Sequence, residues 1–156
     1  MTKLLPLIIL CLSFNLNAQD PETEKVKTTI VNFFEAFHKQ DTTALRTMAK
    51  GDIKLQSISV NKEGQSVLSE NEYGQFLKSI ASIPVENTFE EKLLSFNIQV
   101  DGNMANAWTP YEFWYNGNFS HCGVNSFQLM KEDHEWKIIY LVDTRRRDGC
   151  QVSSKN

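Results

Sequence analysis

The stretch NFSHCGVNSFQLM, residues 118–130, carries Phe119, Phe127, Leu129 and Met130 at the spacing of a half-buried strand. Inside it stand an imidazole, a thiol and an amide: His121, Cys122 and Asn125. Glu112 lies in a second aromatic-rich strand just before it. Imidazole titrates near neutral pH and a buried carboxyl has a raised pKa, so a Glu–His pair in an apolar cavity could move protons. The same pair could equally be a satisfied cross-strand hydrogen bond that allows both groups to be buried. Trp108, Trp114, Tyr140 and Phe96 could stack on a flat ring, or fill the core. Arg145, Arg146 and Arg147 form a basic run whose forked donors suit a carboxylate or phosphate. The alternative for that run is a solvated end paired with Asp143 or Asp148.

Other chemistries lack support. His38, His121 and His134 fall in separate elements without metal-ligand spacing. There is no phosphate-binding loop, nucleophile elbow or zincin motif, and nothing implies a cofactor. The net charge of -3 and the pI of about 5.6 argue against a nucleic-acid binder, which is normally basic.

The elements that must position these residues can be read along the chain. The 156 residues suit one domain with one core. Residues 1–18 read as a secretory leader: Lys3, then an apolar run from Leu4 to Leu16, then Asn17 and Ala18. That run is short for a membrane span, which needs roughly 20 residues. The expected product is a secreted, periplasmic domain over 19–148, free of the membrane, with a polar tail over 149–156. Cleavage would remove Cys11 and leave Cys122 and Cys150, an even pair in an oxidising compartment. They read as a disulfide, with two unpaired thiols as the alternative.

Asp20 and Pro21 predict a helix start, followed by Val26, Ile30, Phe33, Phe34 and Phe37 at helical spacing. Asp41 opens a second helix that stops by Gly51. Ile53 to Val60 alternates as a strand, with a short return over Ser66 to Leu68. Ser69 and Glu72 have the spacing of a capping box for a third helix carrying Tyr73, Phe76, Leu77 and Ile80. Four strands follow: Phe89 to Val100, Met104 to Tyr115, Phe119 to Met130 and Trp136 to Thr144. The order implies an α+β fold with helices on one face of a curved antiparallel sheet.

A two-residue turn at Asn116–Gly117 pairs Tyr115 with Asn118 and Trp114 with Phe119. Extended without interruption, it sets Glu112 against His121 and Trp108 against Asn125. Trp108, Glu112, His121, Asn125 and Tyr140 would then share the concave face. Tyr111, Phe113, Cys122, Asp143 and Arg145 would share the outer one. A one-residue slip reverses both sets.

The chain resembles the nuclear transport factor 2-like superfamily over residues 22 to about 146. VKTTIVNFFEAFHKQDTTALRTM resembles its first two helices, with D-x-x-A-L entering the second, and HEWKIIYLVDTRR its last strand. Ala107–Phe113, Ser120–Leu129 and Asp143–Cys150 are similar to segments of small secreted bacterial members, some in a branch named for lumazine binding. The superfamily includes SnoaL-like cyclases, ketosteroid isomerases and scytalone dehydratases. The resemblance implies a cone-shaped fold and a homodimer. The fold does not choose among enzymes, binders and dimerisation modules. Three readings therefore stand. The first is a non-catalytic binding module for a small aromatic or apolar ligand, held by Trp108, Glu112, His121, Asn125 and Tyr140, with Arg145 at the mouth. The second is an isomerase, dehydratase or cyclase using Glu112 or His121 as acid–base. The third is a ligand-free dimerisation domain.

Overall fold

The structure, a computed structural model, describes residues 20–150. The expected leader and most of the polar tail lie outside the described residues. Three helices cover one face of a seven-stranded sheet. The elements are α1 (Pro21–His38), α2 (Thr42–Met48), β1 (Lys54–Val60), β2 (Ser66–Glu72), α3 (Tyr73–Ala81), β3 (Phe89–Leu93), β4 (Asn97–Asp101), β5 (Met104–Tyr115), β6 (Asn118–Glu132) and β7 (Glu135–Arg146). The sheet order is β2-β1-β7-β6-β5-β3, with β4 also on β5. Every pairing is antiparallel except β1 with β7, which brings Leu55 beside Leu141 and Ser57 beside Asp143.

Local chemistry accounts for the helices. The Asp20 carboxylate accepts the Glu22 N–H at 3.2 Å and Pro21 occupies the first turn, so α1 starts where the sequence predicts. Its apolar stripe, Val26, Ile30, Phe33, Phe34 and Phe37, is buried against the sheet. Each such side chain contributes about 1.5–3 kcal/mol relative to exposure. Asp41 caps α2 by accepting the Ala44 N–H at 2.9 Å.

The expected capping box at Ser69 and Glu72 does not form. Both residues belong to β2, opposite Ser57 and Lys54 of β1. Strand pairing takes up the backbone groups there. Asp52 caps α3 instead, accepting the Gly74 N–H at 2.7 Å. The single long strand expected over Phe89 to Val100 is two strands, β3 and β4, both on β5.

The hairpin at Asn116–Gly117 has positive φ at both residues, 48° and 72°, as a type I′ turn requires. The pairs Tyr115–Asn118 and Trp114–Phe119 are present as expected. Beyond them the register shifts by one, because Ser120 is an extra residue in β6. Phe113, not Glu112, therefore opposes His121, and Thr109, not Trp108, opposes Asn125. A second extra residue, Ile139 in β7, stands between Ile138 opposite Leu129 and Tyr140 opposite Gln128.

Cys122 and Cys150 are joined by a disulfide, with Cα atoms 5.9 Å apart. It ties the chain beyond β7 back to β6. One residue on β6 has no room for a side chain. A Cβ on Gly123 would lie 1.7 Å from the Thr144 carbonyl oxygen and 2.8 Å from the Tyr111 ring. Gly123→Ala is expected to cost at least about 3 kcal/mol, because a backbone oxygen must move and with it the β6–β7 ladder. Urea unfolding of the variant measures this; a loss under about 1 kcal/mol would show that the contact relaxes freely. Replacing both cysteines by serine is expected to cost about 2–4 kcal/mol for a closed loop of this size, read the same way.

Candidate active site in the cone

The concave face is set by strand alternation between the irregularities. On β5 it comprises Ala105, Ala107, Thr109, Tyr111 and Phe113; on β6, Leu129, Phe127, Asn125, Gly123 and His121. On β7, Trp136 and Ile138 face the core, and after Ile139 the face passes to Leu141, Asp143 and Arg145. The rungs therefore grade from apolar to polar. Ala107, Phe127, Leu141 and Leu55 form one rung, and Thr109, Asn125, Asp143 and Ser57 the next. Tyr111, Gly123 and Arg145 follow, then Phe113 with His121.

β3 adds the decisive residue. Against β5, Leu93 pairs with Tyr111 and Asn97 with Trp108, so four steps on one side match three on the other. The face presented by β3 and β4 switches across that offset. Phe89, Glu91 and Leu93 consequently point inward from β3, and Ile98 and Val100 from β4. Glu91 accepts the Asn125 amide N–H at 2.7 Å through a carboxyl oxygen. Its backbone N–H donates to His38 Nε2 at 2.8 Å, which fits the neutral imidazole that burial favours there.

These groups line a cavity of about 100 Å³. Its apolar wall is Phe33, Phe34, Phe37 and Phe76, and its polar wall is Glu91, Asn125, Asp143 and Arg145. Burial pushes the Glu91 carboxyl up to about 8, and Asp143 adds to the rise, while the Asn125 hydrogen bond and Arg145 oppose it. A carboxyl in that condition is a neutral acid at pH 7, able to donate a proton or a hydrogen bond. The Tyr111 ring passes over Gly123, and its hydroxyl lies 3.0 Å from both Asp143 Oδ2 and the Thr144 carbonyl. Burial, with the Asp143 charge, raises the phenol pKa, so Tyr111 stays a donor. Arg145 Nε donates to the same Asp143 oxygen at 2.8 Å. The Ser57 hydroxyl, on the rung beside Asp143, has no hydrogen-bond partner among the described residues.

Several expected site residues are elsewhere. Trp108 lies on the outer face and is 52% exposed. Tyr140 is also on that face, donating to the Gln56 side-chain oxygen of β1. Glu112 is fully buried on the outer side, opposite Cys122, and accepts the Trp114 indole N–H at 3.0 Å. Glu112 and His121 therefore form no pair. The cause is the same for all three. Uninterrupted alternation does not hold at Ser120 and Ile139, where one extra residue reverses the face. Asn125 is inside as expected. Arg145, expected on the outer strand face and at the mouth of the cone, lies on the concave face at the rim with its side chain 58% exposed. His121 is on the concave side but stacks on Phe113, with centroids 4.9 Å apart, at the outer end of the face. Among the described residues no cluster of three His, Cys, Asp or Glu side chains is placed to hold a metal ion.

Solved structures share this fold. A cystatin-like-fold protein from Nostoc punctiforme superposes with a TM-score of 0.62 at 12% identity, over 80% of this chain and 91% of its own. A proposed dehydratase of the nuclear transport factor 2-like family from Streptomyces avermitilis gives 0.59 at 16% identity, over 80% and 96%. A Novosphingobium aromaticivorans protein of that family and fold gives 0.59 at 14%, over 82% and 83%. The chain has the nuclear transport factor 2-like fold. No family model and no curated protein matches it. At such identities the nuclear transport factor 2-like likeness carries architecture only.

In this nuclear transport factor 2-like cone, Glu91, Asp143 and Tyr111 are the residues that the sequence reading missed. A signal for Glu91 does exist: Phe89 and Leu93 are apolar at alternate positions around it. Counting back from Ile98 through Phe96 and Leu94 places it on the wrong face. The raised Glu91 pKa also has a consequence for stability. Between the ordinary value of 4.5 and about 8, the unfolded chain has lost this proton and the folded chain keeps it. Stability therefore falls as pH rises through that window. Glu91→Gln is expected to leave the melting temperature near that of the parent at about pH 4.5 and to exceed it by several degrees at about pH 8. Parallel melting curves across this range would mean that Glu91 ionises normally.

Proposed function

We propose that the cone binds the apolar end of a small molecule, which Glu91 and Asn125 orient by hydrogen bonds. The observation that carries this reading is a cavity walled on one side by four phenylalanines and on the other by Glu91, Asn125 and the Asp143–Arg145 pair. Such a combination of apolar lining and few polar groups is what small-molecule sites use. Size narrows the ligand. The cavity of about 100 Å³ is below the ~150 Å³ that accepts benzene in a protein core and well below the ~300 Å³ of drug-sized pockets. A short chain or the edge of one ring fits, and the remainder of the ligand lies outside. The disulfide suits an oxidising compartment, in keeping with a secreted or periplasmic module.

Phenol is a suitable probe. Saturable shifts of the Asn125 side-chain amide and the Phe34 ring in NMR spectra are expected, and Phe34→Trp should abolish them by filling the cavity. Absence of a saturable shift in the parent protein would overturn the reading.

One observation favours a second reading, the proton chemistry of an isomerase or dehydratase. A carboxyl that holds its proton to about pH 8 is placed to protonate a leaving or carbonyl oxygen in the cone. If a substrate is turned over, the rate should fall as pH rises past about 8, and Glu91→Gln should lose at least about 100-fold. A variant that retains the parent rate would exclude Glu91 as the acid.

A further inference from the structure

Beyond β7 the chain turns back on itself. Arg146 Nη1 donates to the carbonyls of Asp148 and Gly149, at 3.1 and 2.6 Å, and Gly149 adopts φ +65°. The Cys122–Cys150 bond then fixes this loop against β6. Between the loop and the end of β1 lies a cleft of about 730 Å³, lined by His121, Arg145, Arg146, Arg147, Asp148 and residues 59–61. Three guanidinium groups thus meet one carboxylate, and two of them are already engaged. Arg145 pairs with Asp143, and Arg146 holds the loop carbonyls. Arg147 makes no ion pair or hydrogen bond among the described residues. His121 has Nδ1 3.1 Å from the Ser120 hydroxyl, and its Nε2 is unpartnered among the described residues. Arg145 lines both this cleft and the cone, so its side chain borders the two cavities.

We propose that this cleft is an oxyanion subsite, in which Arg147, His121 and Arg145 take the phosphate or carboxylate of a molecule whose apolar end enters the cone. The inference rests on the cone reading. It supplies what that reading leaves over, a place for the part of the ligand too large for about 100 Å³. Guanidinium forks bind oxyanions through paired, charge-assisted hydrogen bonds, and a covalently closed loop reduces the ordering cost. The imidazole reports occupancy. Burial, then the charges of Arg145 and Arg147, hold its pKa below the ordinary value, against the opposing pull of Asp143. Asp148 also lines the cleft, and Tyr111 and Phe113 pack against the ring. An oxyanion between the arginines cancels their field and favours the imidazolium, so binding takes up a proton and tightens as pH falls.

The test is NMR titration of His121 in the full disulfide-bonded chain, with inorganic phosphate, acetate or chloride at constant ionic strength. Phosphate or acetate is expected to raise the His121 pKa saturably, by roughly half a unit or more, with chloride inactive. Comparison of the two probes distinguishes phosphate from carboxylate preference. Arg147→Gln should weaken the effect about tenfold. Arg147 is exposed, and a urea midpoint equal to the parent's confirms that the variant is folded. Equal responses to chloride, or an unchanged response in Arg147→Gln, would overturn the subsite. Phenol binding without a phosphate or acetate response would sink the subsite and leave the cone reading intact. Phenyl phosphate and 3-phenylpropyl phosphate test the link. At least one should bind about tenfold or more tighter than phosphate or phenol alone. If neither does, the single bipartite ligand is excluded.

Discussion

A β-strand can change which face its side chains address only where the pairing gains or loses a residue. Three such places shape this protein: the offset between β3 and β4, Ser120 in β6, and Ile139 in β7. The first two lie beside the polar rungs, and the third lies among the apolar ones, between the Leu129–Ile138 and Phe127–Leu141 pairs. The first turns Glu91 inward, the second brings His121 over Phe113, and the third delivers Asp143 and Arg145. A sheet of uninterrupted alternation would present Glu90, Tyr140 and Val142 in place of Glu91, Leu141 and Asp143, and the Glu91–Asn125 and Tyr111–Asp143 contacts of the cone would be lost.

The polar rungs are costly to bury and are held by close mutual pairing. Tyr111 spans Gly123 to reach Asp143 and the Thr144 carbonyl, a path that exists because position 123 lacks a side chain. Arg145 compensates the Asp143 charge at 2.8 Å. Among the described residues Glu91 has only the amide of Asn125 as a side-chain hydrogen-bond partner, and the physical outcome is a carboxyl that keeps its proton. The fold thus sacrifices stability above the ordinary carboxylate range to keep an acid in an apolar cavity. Groups held in that way are concentrated at functional sites, although structural networks also produce them.

The outer face follows a different logic. Glu112 is buried there under the Trp114 indole, in the rung of Cys122, while Trp108 remains in contact with solvent. Its residues hold the sheet together and tie down the loop after β7. Through that loop, the disulfide connects the outer face to the rim of the cone, and so to the placement of the arginines.

The sequence by itself determined the helices and the turns. Asp20–Pro21 and Asp41 cap their own neighbours, Asn116–Gly117 tolerates positive φ, and the phenylalanine stripe of α1 follows a fixed period of 3.6. Such signals are local and held here, whereas the equally local Ser69–Glu72 spacing yielded to strand pairing. The fold class followed from their order, and the cysteine pair from the expected removal of Cys11 with the leader. Only the tertiary structure decided which side chains share the cone. An extra residue costs nothing in composition and leaves no local mark, yet it reverses every assignment beyond it. Glu112 and Glu91 show this directly: each lies among aromatic residues, and the register alone placed one against the outer face and the other in the cavity.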